Sequence, residues 1–283
     1  MLSATSSWSG CSKQAARELL ITQLLNGVVC GMRSQGDRAS LPLLTFLGTR
    51  GGIEKRSARH RRHSALLLEH RKFRLMFDCG GDWLGRIKEI DPSAIVLTHA
   101  HPDHARGLAA GAPCPVYATA QTWALISHYP ISDRHVIRIG KPFALARAQL
   151  EAIAVEHSVR APAIGYRVAV GGTRFFYVPD LVSIRGRRKA LRNVALYIGD
   201  GARVERPLLR RRGRRRIGHA AICTQLDWCR HAAIRHAIFT HCGSEIVGTN
   251  ARIMAARLGQ LGRERGVIAD IAYDGMTLTL QAS

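Results

Sequence analysis

The feature that most limits how this chain can fold is the stretch THAHPDHARG, which places three histidines and an aspartate within six positions. The apolar run AIVLT leads straight into it, so a strand is predicted to end where the polar side chains begin. The four side chains are His99, His101, Asp103 and His104. A cluster of this kind is typical of a metal site, and a polar surface turn is the plain alternative.

The spacing of the four side chains favours two metal ions over one. His99 and His101 are two positions apart as the strand ends, so their rings project to the same side. Pro102 favours the start of a helix, which displaces Asp103 and His104 along the chain toward a second point. Two metals a few ångströms apart therefore suit the pattern better than a single ion.

Three more donors each stand at the end of a predicted strand. The segments EAIAVEH, TRFFYVPD and AIFTH end in His157, Asp180 and His241. Strand ends are where the loops of a rigid scaffold converge, so these residues are candidates for the same site. Taken alone, each strand-end histidine is also consistent with a capping or surface residue.

The chain divides into an N-terminal segment and a folded domain. Residues 1–40 are rich in Ser and Gly and poor in acidic groups, and we interpret them as an appended segment: disordered, a targeting peptide, or an over-long gene start. The apolar stretch Leu19 to Met32 is too short to span a membrane. Residues 41–283 are expected to form one domain, and the hydrophobic content of 46% can supply its core.

Short apolar runs alternate with helical segments from Leu41 onward. Strands before the histidine cluster suit one sheet and those after it a second, with helices at about TQLDWCRHAAIRH and at 249–261. The final stretch, IADIAYDGMTLTL, is predicted to form a hairpin around Asp274 and Gly275. The fold class expected is α+β, a four-layer αββα sandwich.

Charge and cysteine content limit the partners and the compartment. The net charge of +22 favours polyanions or phosphorylated substrates. The basic runs Arg206 to Arg216 and Arg56 to His63 either clamp phosphate or nucleic acid, or are solvated loops. Seven cysteines without a C-x-x-C pair indicate a reducing, cytoplasmic compartment, and Cys79 and Cys242 are predicted to pack in the interior.

The motifs resemble those of the metallo-β-lactamase-fold hydrolases. The run THAHPDH matches the H-x-H-x-D-H signature of that superfamily, and MFDCGGD resembles the segment that carries a supporting aspartate, here Asp78. The resemblance extends over about Leu41 to Leu280 and implies two divalent metal ions, with Zn²⁺ the first choice and Mn²⁺ the second. It implies one metal held by His99, His101 and His157, the other by Asp103, His104 and His241, and Asp180 as the bridge.

Within that superfamily, FLGTRG and IGHAAI resemble ribonuclease Z and the phosphodiesterase of the carbon-phosphorus lyase pathway. The resemblance implies that His219, which lies 22 positions before His241, is the general acid or a phosphate contact, with a surface histidine as the alternative. Short bacterial ribonuclease Z enzymes insert a long tRNA-gripping arm between the ligands that match His157 and Asp180. Here 22 residues separate the two, which argues against tRNA maturation.

The function expected is hydrolysis of a phosphodiester in a nucleotide, cyclic phosphate or short RNA by a metal-bridging hydroxide. His219, with a near-neutral pKa, would protonate the leaving oxygen, and Asp103 is assigned a catalytic role besides its place among the ligands. A lactonase or thioesterase of the same fold is the first alternative, and a basic nucleic-acid-binding protein with a structural metal is the second. A homodimer is allowed for, and no association with a membrane is expected.

Overall fold

The structure is a computed structural model that describes residues 41–213 and 215–282, with the backbone alone at Arg215. The predicted appended segment, residues 1–40, lies outside the described residues. The domain is built from two large sheets, a small hairpin and short helices, as set out below.

Seven strands of the described residues form the first sheet, in the order β17-β1-β2-β3-β4-β5-β6. These strands are β1 (Leu43–Gly48), β2 (Ala65–His70), β3 (Phe73–Phe77), β4 (Ala94–Val96), β5 (Val116–Thr119), β6 (Arg134–Ile137) and β17 (Thr277–Thr279). In β1, half-buried and fully buried residues alternate, as expected for a strand whose two faces differ in environment. Strand β4 is buried at every position, which is typical of a central parallel strand.

Eight further described strands form the second sheet, in the order β11-β8-β9-β10-β12-β15-β16, with β7 paired to β8. They are β7 (Pro142–Leu145), β8 (Ala148–Glu156), β9 (Ile164–Val170), β10 (Thr173–Tyr177), β11 (Ser183–Ile184), β12 (Leu196–Asp200), β15 (His236–Thr240) and β16 (Ile268–Ile271). Strands β13 (Leu208–Arg212) and β14 (Arg215–His219) pair only with each other in the described part of the chain.

Short helices connect the strands and cover the outer faces of the sheets. The α-helices are α1 (Ile87–Ile90), α2 (Pro102–Ala105), α3 (Ala120–Leu125), α4 (Arg187–Ala190), α5 (Ile222–His231), α6 (Ser244–Gly248) and α7 (Ala251–Arg263), and two 3₁₀ turns cover Gly81–Trp83 and Arg106–Ala110. Helix α7 is capped at its N-terminus by Asn250, whose side chain accepts hydrogen bonds from two backbone N–H groups of the first turn. None of the described helices combines the length and apolar character needed to cross a membrane.

Three hydrophobic clusters confirm the four-layer αββα arrangement. Between the sheets, the Phe77 ring packs edge-on against Tyr166, with the ring centroids 5.8 Å apart. Trp123 lies in the cluster on the outer face of the first sheet, and Trp228 and Leu258 lie in the cluster on the outer face of the second. Each large apolar side chain buried in this way stabilises the fold by about 1.5–3 kcal/mol.

The predicted C-terminal hairpin around Asp274 and Gly275 is wrong. Strand β16 pairs with β15 in the second sheet, whereas β17 pairs with β1 in the first, so the turn connects two sheets. The Asp274 carboxylate holds this turn by accepting hydrogen bonds from the hydroxyl and N–H of Thr49 and from the N–H groups of Arg61 and Arg62. These bonds join residues more than 200 positions apart, and local sequence does not encode them.

Candidate metal centre and active site

The predicted donors lie at the ends of strands in both sheets. His157 directly follows β8, His241 directly follows β15, and Asp180 lies three residues beyond β10. Strands β10, β12 and β15 are parallel, so their carboxyl ends lie at the same edge of the second sheet. Because the loop after β4 meets this edge from the first sheet, the histidine cluster and the three later donors converge.

The first donor group contains His99, His101, His157 and Asp180, whose ligand atoms all lie within 4.8 Å of one another. His99 Nε2 lies 2.9 Å from His101 Nδ1, and His157 Nε2 lies 3.2 Å from the same atom. Asp180 Oδ2 is 3.3 Å from His99 Nε2. Three imidazole nitrogens and a carboxylate oxygen gathered in this way form a donor set that suits a divalent transition metal.

The second donor group contains Asp103, His104, Asp180 and His241, again with ligand atoms within 4.8 Å of one another. Asp180 Oδ2 lies 3.0 Å from His104 Nε2, and Asp180 Oδ1 lies 3.1 Å from His241 Nδ1. His241 Nε2 is 3.0 Å from Asp103 Oδ2. Asp180, to which the resemblance assigns the bridging role, therefore belongs to both groups.

Unsatisfied buried atoms at this point fit the binding of cations. Within the described residues, His104 Nε2, Asp180 Oδ1 and His241 Nδ1 are buried and form ion-pair contacts with one another's side chains but no hydrogen bond. Leaving a buried polar atom without a hydrogen bond costs roughly 1–3 kcal/mol, so three such atoms in one cluster are unusual. Metal ions bound by these atoms would compensate that cost, and the His/Asp clusters are accordingly suited to metal binding.

Two glycines allow the chain after β1 to approach the second donor group closely. A Cβ atom at Gly51 would lie 2.9 Å from His241 Cε1, and one at Gly52 would lie 2.9 Å from Asp103 Oδ2. Such distances are too short for real Cβ contacts, so any other residue would displace a donor. The segment FLGTRG, noted in the sequence for its family resemblance, therefore has a steric role at the site.

Asp78 supports the donors from behind, as predicted. Its Oδ2 lies 2.9 Å from His104 Nδ1, and its Oδ1 accepts the backbone N–H of Thr98 at 2.7 Å. The Thr98 hydroxyl also donates to Asp78 and lies 3.0 Å from His99 Nδ1. A carboxylate on the far nitrogen of an imidazole directs the other nitrogen toward a metal.

The buried imidazoles fall into two electrostatic classes. Burial lowers the pKa of His99 well below its ordinary value and the pKa of His101 to about 4. Burial also acts to lower the pKa of His241, but the carboxylates of Asp180 and Asp103 raise it to about 9. Metal ligation requires neutral imidazole, so the first group is prepared for a metal, whereas a metal at the second would displace a proton.

Asp180 stays ionised at the centre of this cluster. Burial by itself would raise the pKa of the carboxyl, but the imidazoles of His241 and His157 hold it well below its usual range. A permanent negative charge shared by both donor groups stabilises cations at either one.

His219 lies against both groups, paired with a carboxylate that the sequence analysis missed. Its Nδ1 is 2.8 Å from Asp200 Oδ2 and 3.2 Å from Asp180 Oδ1. Asp200 is fully buried at the end of β12, and the strand-end rule that identified Asp180 also applies to the last residue of VALYIGD. The missed signal was therefore present in the sequence.

The His219–Asp200 pair changes the protonation expected of His219. Burial acts to lower the pKa of His219, but the carboxylates of Asp200 and Asp180 raise it to about 11. This is above the near-neutral pKa expected from the sequence, because Asp200 was not anticipated. The imidazole therefore holds its second proton at neutral pH.

A cavity of about 400 Å³ opens over these residues. The predicted site residues on its wall are His101, Asp103, His157, Asp180, His219 and His241. Arg203 and Leu208, the first residue of β13, also border it. A volume in this range suits a small ligand or one nucleotide unit. His99 and His104 lie beneath it, each with no exposed surface.

Cys79 and Cys242 neighbour the site residues Asp78 and His241, but both cysteines are fully buried in hydrophobic clusters. Burial raises the pKa of both thiols well above the ordinary value. The prediction that they serve packing is confirmed.

The residues of the candidate site lie within a segment that matches a known protein family. A family model described as the beta-lactamase superfamily domain matches residues 74–242, a range that contains all seven predicted metal donors as well as Asp200 and His219. A curated relative, exodeoxyribonuclease YycJ of Bacillus anthracis, is 32% identical over 79 residues, which cover 25% of this chain and 30% of that protein. The chain thus matches less than a third of that relative's length.

Solved structures show the same fold over most of the chain. A diphosphatase from the PhnP family has a TM-score of 0.65 at 20% identity, covering 84% of this chain and 97% of that one. The short form of human tRNase Z, ELAC1, has a TM-score of 0.56 at 17% identity, covering 84% and 99%. The expected metallo-β-lactamase fold is confirmed.

Proposed function

The chain belongs to the beta-lactamase superfamily and is a hydrolase of the metallo-β-lactamase fold, and from that premise we propose that it is a dinuclear metal-dependent phosphodiesterase. The observation that carries the proposal is the His219–Asp200 pair, which adjoins two donor groups that share Asp180. An oxygen that leaves phosphorus as an alkoxide needs a proton, and this pair holds one beside the metal-binding residues.

Two divalent ions, Zn²⁺ first and Mn²⁺ second, fit the two donor groups of imidazole and carboxylate. His99, His101 and His157 would hold one, Asp103, His104 and His241 the other, and Asp180 would contact both. When bound, such a pair of ions lowers the pKa of water between them and neutralises charge on phosphoryl oxygens.

The chain's own residues would position the substrate and supply the proton. Asp200 orients the His219 ring through Nδ1, and because the residue borders the cavity, Nε2 is the nitrogen that would serve a substrate there. A substrate oxygen that departs beside Nε2 would receive that proton. A cation bound by Asp180 would oppose part of the carboxylate field at His219, lower its pKa from about 11, and so make it a better acid at neutral pH.

Arg203 favours an anionic substrate. It borders the cavity, and within the described residues its side chain donates a hydrogen bond to the backbone carbonyl of Arg206 and pairs with no carboxylate. An unpaired guanidinium at a cavity wall suits the oxygens of a phosphate group.

The names of two similar proteins support the same class of reaction. The diphosphatase and the exodeoxyribonuclease are named for the cleavage of phosphate-containing compounds and of DNA. Nucleotides, cyclic phosphates and short nucleic-acid strands are the substrates we propose for this chain.

The proposal is tested by metal content and turnover of the purified protein. Elemental analysis should find two transition-metal ions per chain in the wild type and fewer in His101→Ala and Asp180→Ala, each of which removes a proposed ligand. His128→Ala, which changes an exposed histidine away from the site cavity, serves as the matched control. Wild-type metal content in both ligand variants would exclude the dinuclear assignment.

Turnover is then measured on bis(p-nitrophenyl) phosphate, cyclic nucleotides, RNA, lactones and thioesters. Hydrolysis of phosphodiesters above the other classes is the expected result. Preferred turnover of a lactone or thioester would replace the phosphodiesterase proposal, and failure to turn over any of them with both metals bound would favour a structural role for the metals.

A further inference from the structure

The arginine-rich run that the sequence left undecided forms a hairpin at the edge of the site cavity. Strands β13 and β14 form this hairpin. Leu208 at the start of β13 pairs with His219 at the end of β14, and both residues border the cavity. Arg210, Arg211 and Arg212 follow on β13, all exposed, and none has an ion-pair partner among the described residues.

The hairpin is attached directly to the first donor group. Gly218 accepts a hydrogen bond from His157 Nδ1 at 3.0 Å, and its own N–H donates to the His157 carbonyl at 2.9 Å. Two residues before Gly218 on β14, Arg216 forms an ion pair of 2.8 Å with Glu156, the residue before His157. The basic hairpin therefore has a defined position relative to the metal-binding residues.

Register places one row of arginines on the cavity side. Side chains alternate along a strand, so Arg210 and Arg212 lie on the same face of the hairpin as Leu208. Four residues of strand place Arg212 about 14 Å beyond Leu208. Positive charge thus extends outward from the cavity along one face.

The same register sets like charges against one another. Arg211 lies opposite Arg216. Like-charged residues directly opposed on neighbouring strands destabilise a hairpin. Glu156 offsets the charge of Arg216, whereas no described carboxylate forms an ion pair with Arg211. A bound polyanion would remove this repulsion.

We propose that the β13–β14 hairpin binds the sugar-phosphate backbone of a single-stranded oligonucleotide while one of its phosphates occupies the cavity. The proposal rests on the proposed function and narrows its substrate class from phosphodiesters in general to single strands that extend beyond the cleaved bond.

The cavity size and an exposed leucine favour a single strand over a duplex, while the arginines suit the phosphate backbone of either. The cavity, about 400 Å³, has room for one nucleotide unit and not for a base pair with its flanking duplex. Guanidinium groups bind phosphate oxygens in pairs of hydrogen bonds, which suits a backbone that repeats its charge. Leu208, on the same face as Arg210 and Arg212, is 40% exposed and offers apolar surface to the sugars and bases of an unpaired strand.

The test compares binding of fluorescein-labelled 12-nucleotide DNA and RNA single strands by fluorescence anisotropy at several NaCl concentrations. The Arg210→Gln/Arg212→Gln variant should bind about 10-fold more weakly at 0.1 M salt, and the slope of log affinity against log salt should fall by about 1.4. Arg210→Lys/Arg212→Lys keeps the charge and should retain most of that slope. Arg138→Gln/Arg252→Gln removes two exposed arginines away from the cavity and should behave as the wild type.

The same variants are assayed on bis(p-nitrophenyl) phosphate, which is too short to reach the hairpin, and their turnover should not change.

Equal weakening by both pairs of Gln substitutions would show that general charge, not the hairpin, binds the strand. Equal affinity for a 12-base-pair duplex would overturn the single-strand assignment. Strand binding that depends on the hairpin without any phosphodiester turnover would leave the interaction standing and remove the proposed function. The comparison of DNA with RNA identifies the polymer.

Discussion

Asp200→Asn tests whether this buried carboxylate positions His219 for proton donation. Asp200 Oδ1 accepts the N–H of Ala202 at 2.8 Å, while Oδ2 accepts the N–H of Leu181 at 3.2 Å and lies 2.8 Å from His219 Nδ1. The asparagine oxygen can occupy one of these places only. If it stays on Ala202, the amide NH₂ faces two donors, and the imidazole loses the partner that orients it.

The magnitude of the Asp200→Asn effect follows from these contacts. A hydrogen bond to a charged group contributes about 1.5–3 kcal/mol, so kcat on a substrate with a poor leaving group should fall about 10- to 100-fold. The N–H of Leu181 loses its acceptor at a cost of about 1–3 kcal/mol, which for a domain of this size lowers Tm by about 2–10 °C.

A double-mutant cycle with His219→Ala separates positioning from general disruption. If Asp200 acts through His219, the double variant should be no slower than His219→Ala alone, because the group that Asp200 orients is already absent. The pH profile of Asp200→Asn should also show its acidic group titrating at lower pH, since a carboxylate that raises the pKa of His219 has been removed. Rate losses that multiply, together with an unchanged pH profile, would refute this reasoning.

The other predictions concern the proton donor, the support of the donors and the pH dependence of stability. His219→Ala should keep both metals yet lose about 10²- to 10⁴-fold in kcat with a poor alkoxide leaving group and much less with p-nitrophenolate; an equal loss on both would indicate phosphate binding instead. Asp78→Asn removes the carboxylate on His104 Nδ1 and should weaken metal affinity about 10- to 100-fold, measured by competition with a chelator, and undiminished affinity would count against its supporting role. His60, buried against Thr49, has its pKa lowered by burial to about 4, so its neutral form stabilises the fold fully above pH 6.5 and this contribution is lost as pH falls toward 4. Between pH 7.5 and 4.5 the wild type should lose about 2.5 kcal/mol more stability than His60→Asn in urea unfolding, and parallel losses would contradict the burial of a neutral ring.

The donor residues were predictable because their signals are local. Strand ends can be recognised from apolar runs that stop at a polar residue, and the H-x-H-x-D-H spacing brings its donors together within one loop. The structure gathers all seven predicted donors into two groups around Asp180. Asp200 carries the same local signal at the end of β12, so it too was predictable from the sequence, although it is not among the predicted site residues.

The C-terminal strands were not predictable in the same way. The apolar pattern identified β16 and β17 as strands, but a pattern of alternation does not name the strand that each will pair with. Pairing is decided by long-range contacts. Strand β16 pairs with β15 and β17 pairs with β1, and the Asp274 carboxylate fixes the turn between them by binding Thr49. A short turn between two strands therefore resembled a hairpin.

By itself the sequence determined the layered α+β class, the candidate metal-donor residues and the strongly basic character, since each depends on residue type and on spacing along the chain. Tertiary structure alone decided that Asp180 contacts both donor groups, that Asp200 faces His219, and that the arginine-rich hairpin borders the cavity. The physical reason is distance: electrostatic and hydrogen-bond effects act over a few ångströms, and only the packing of the two sheets brings residues that are far apart in the chain within that range.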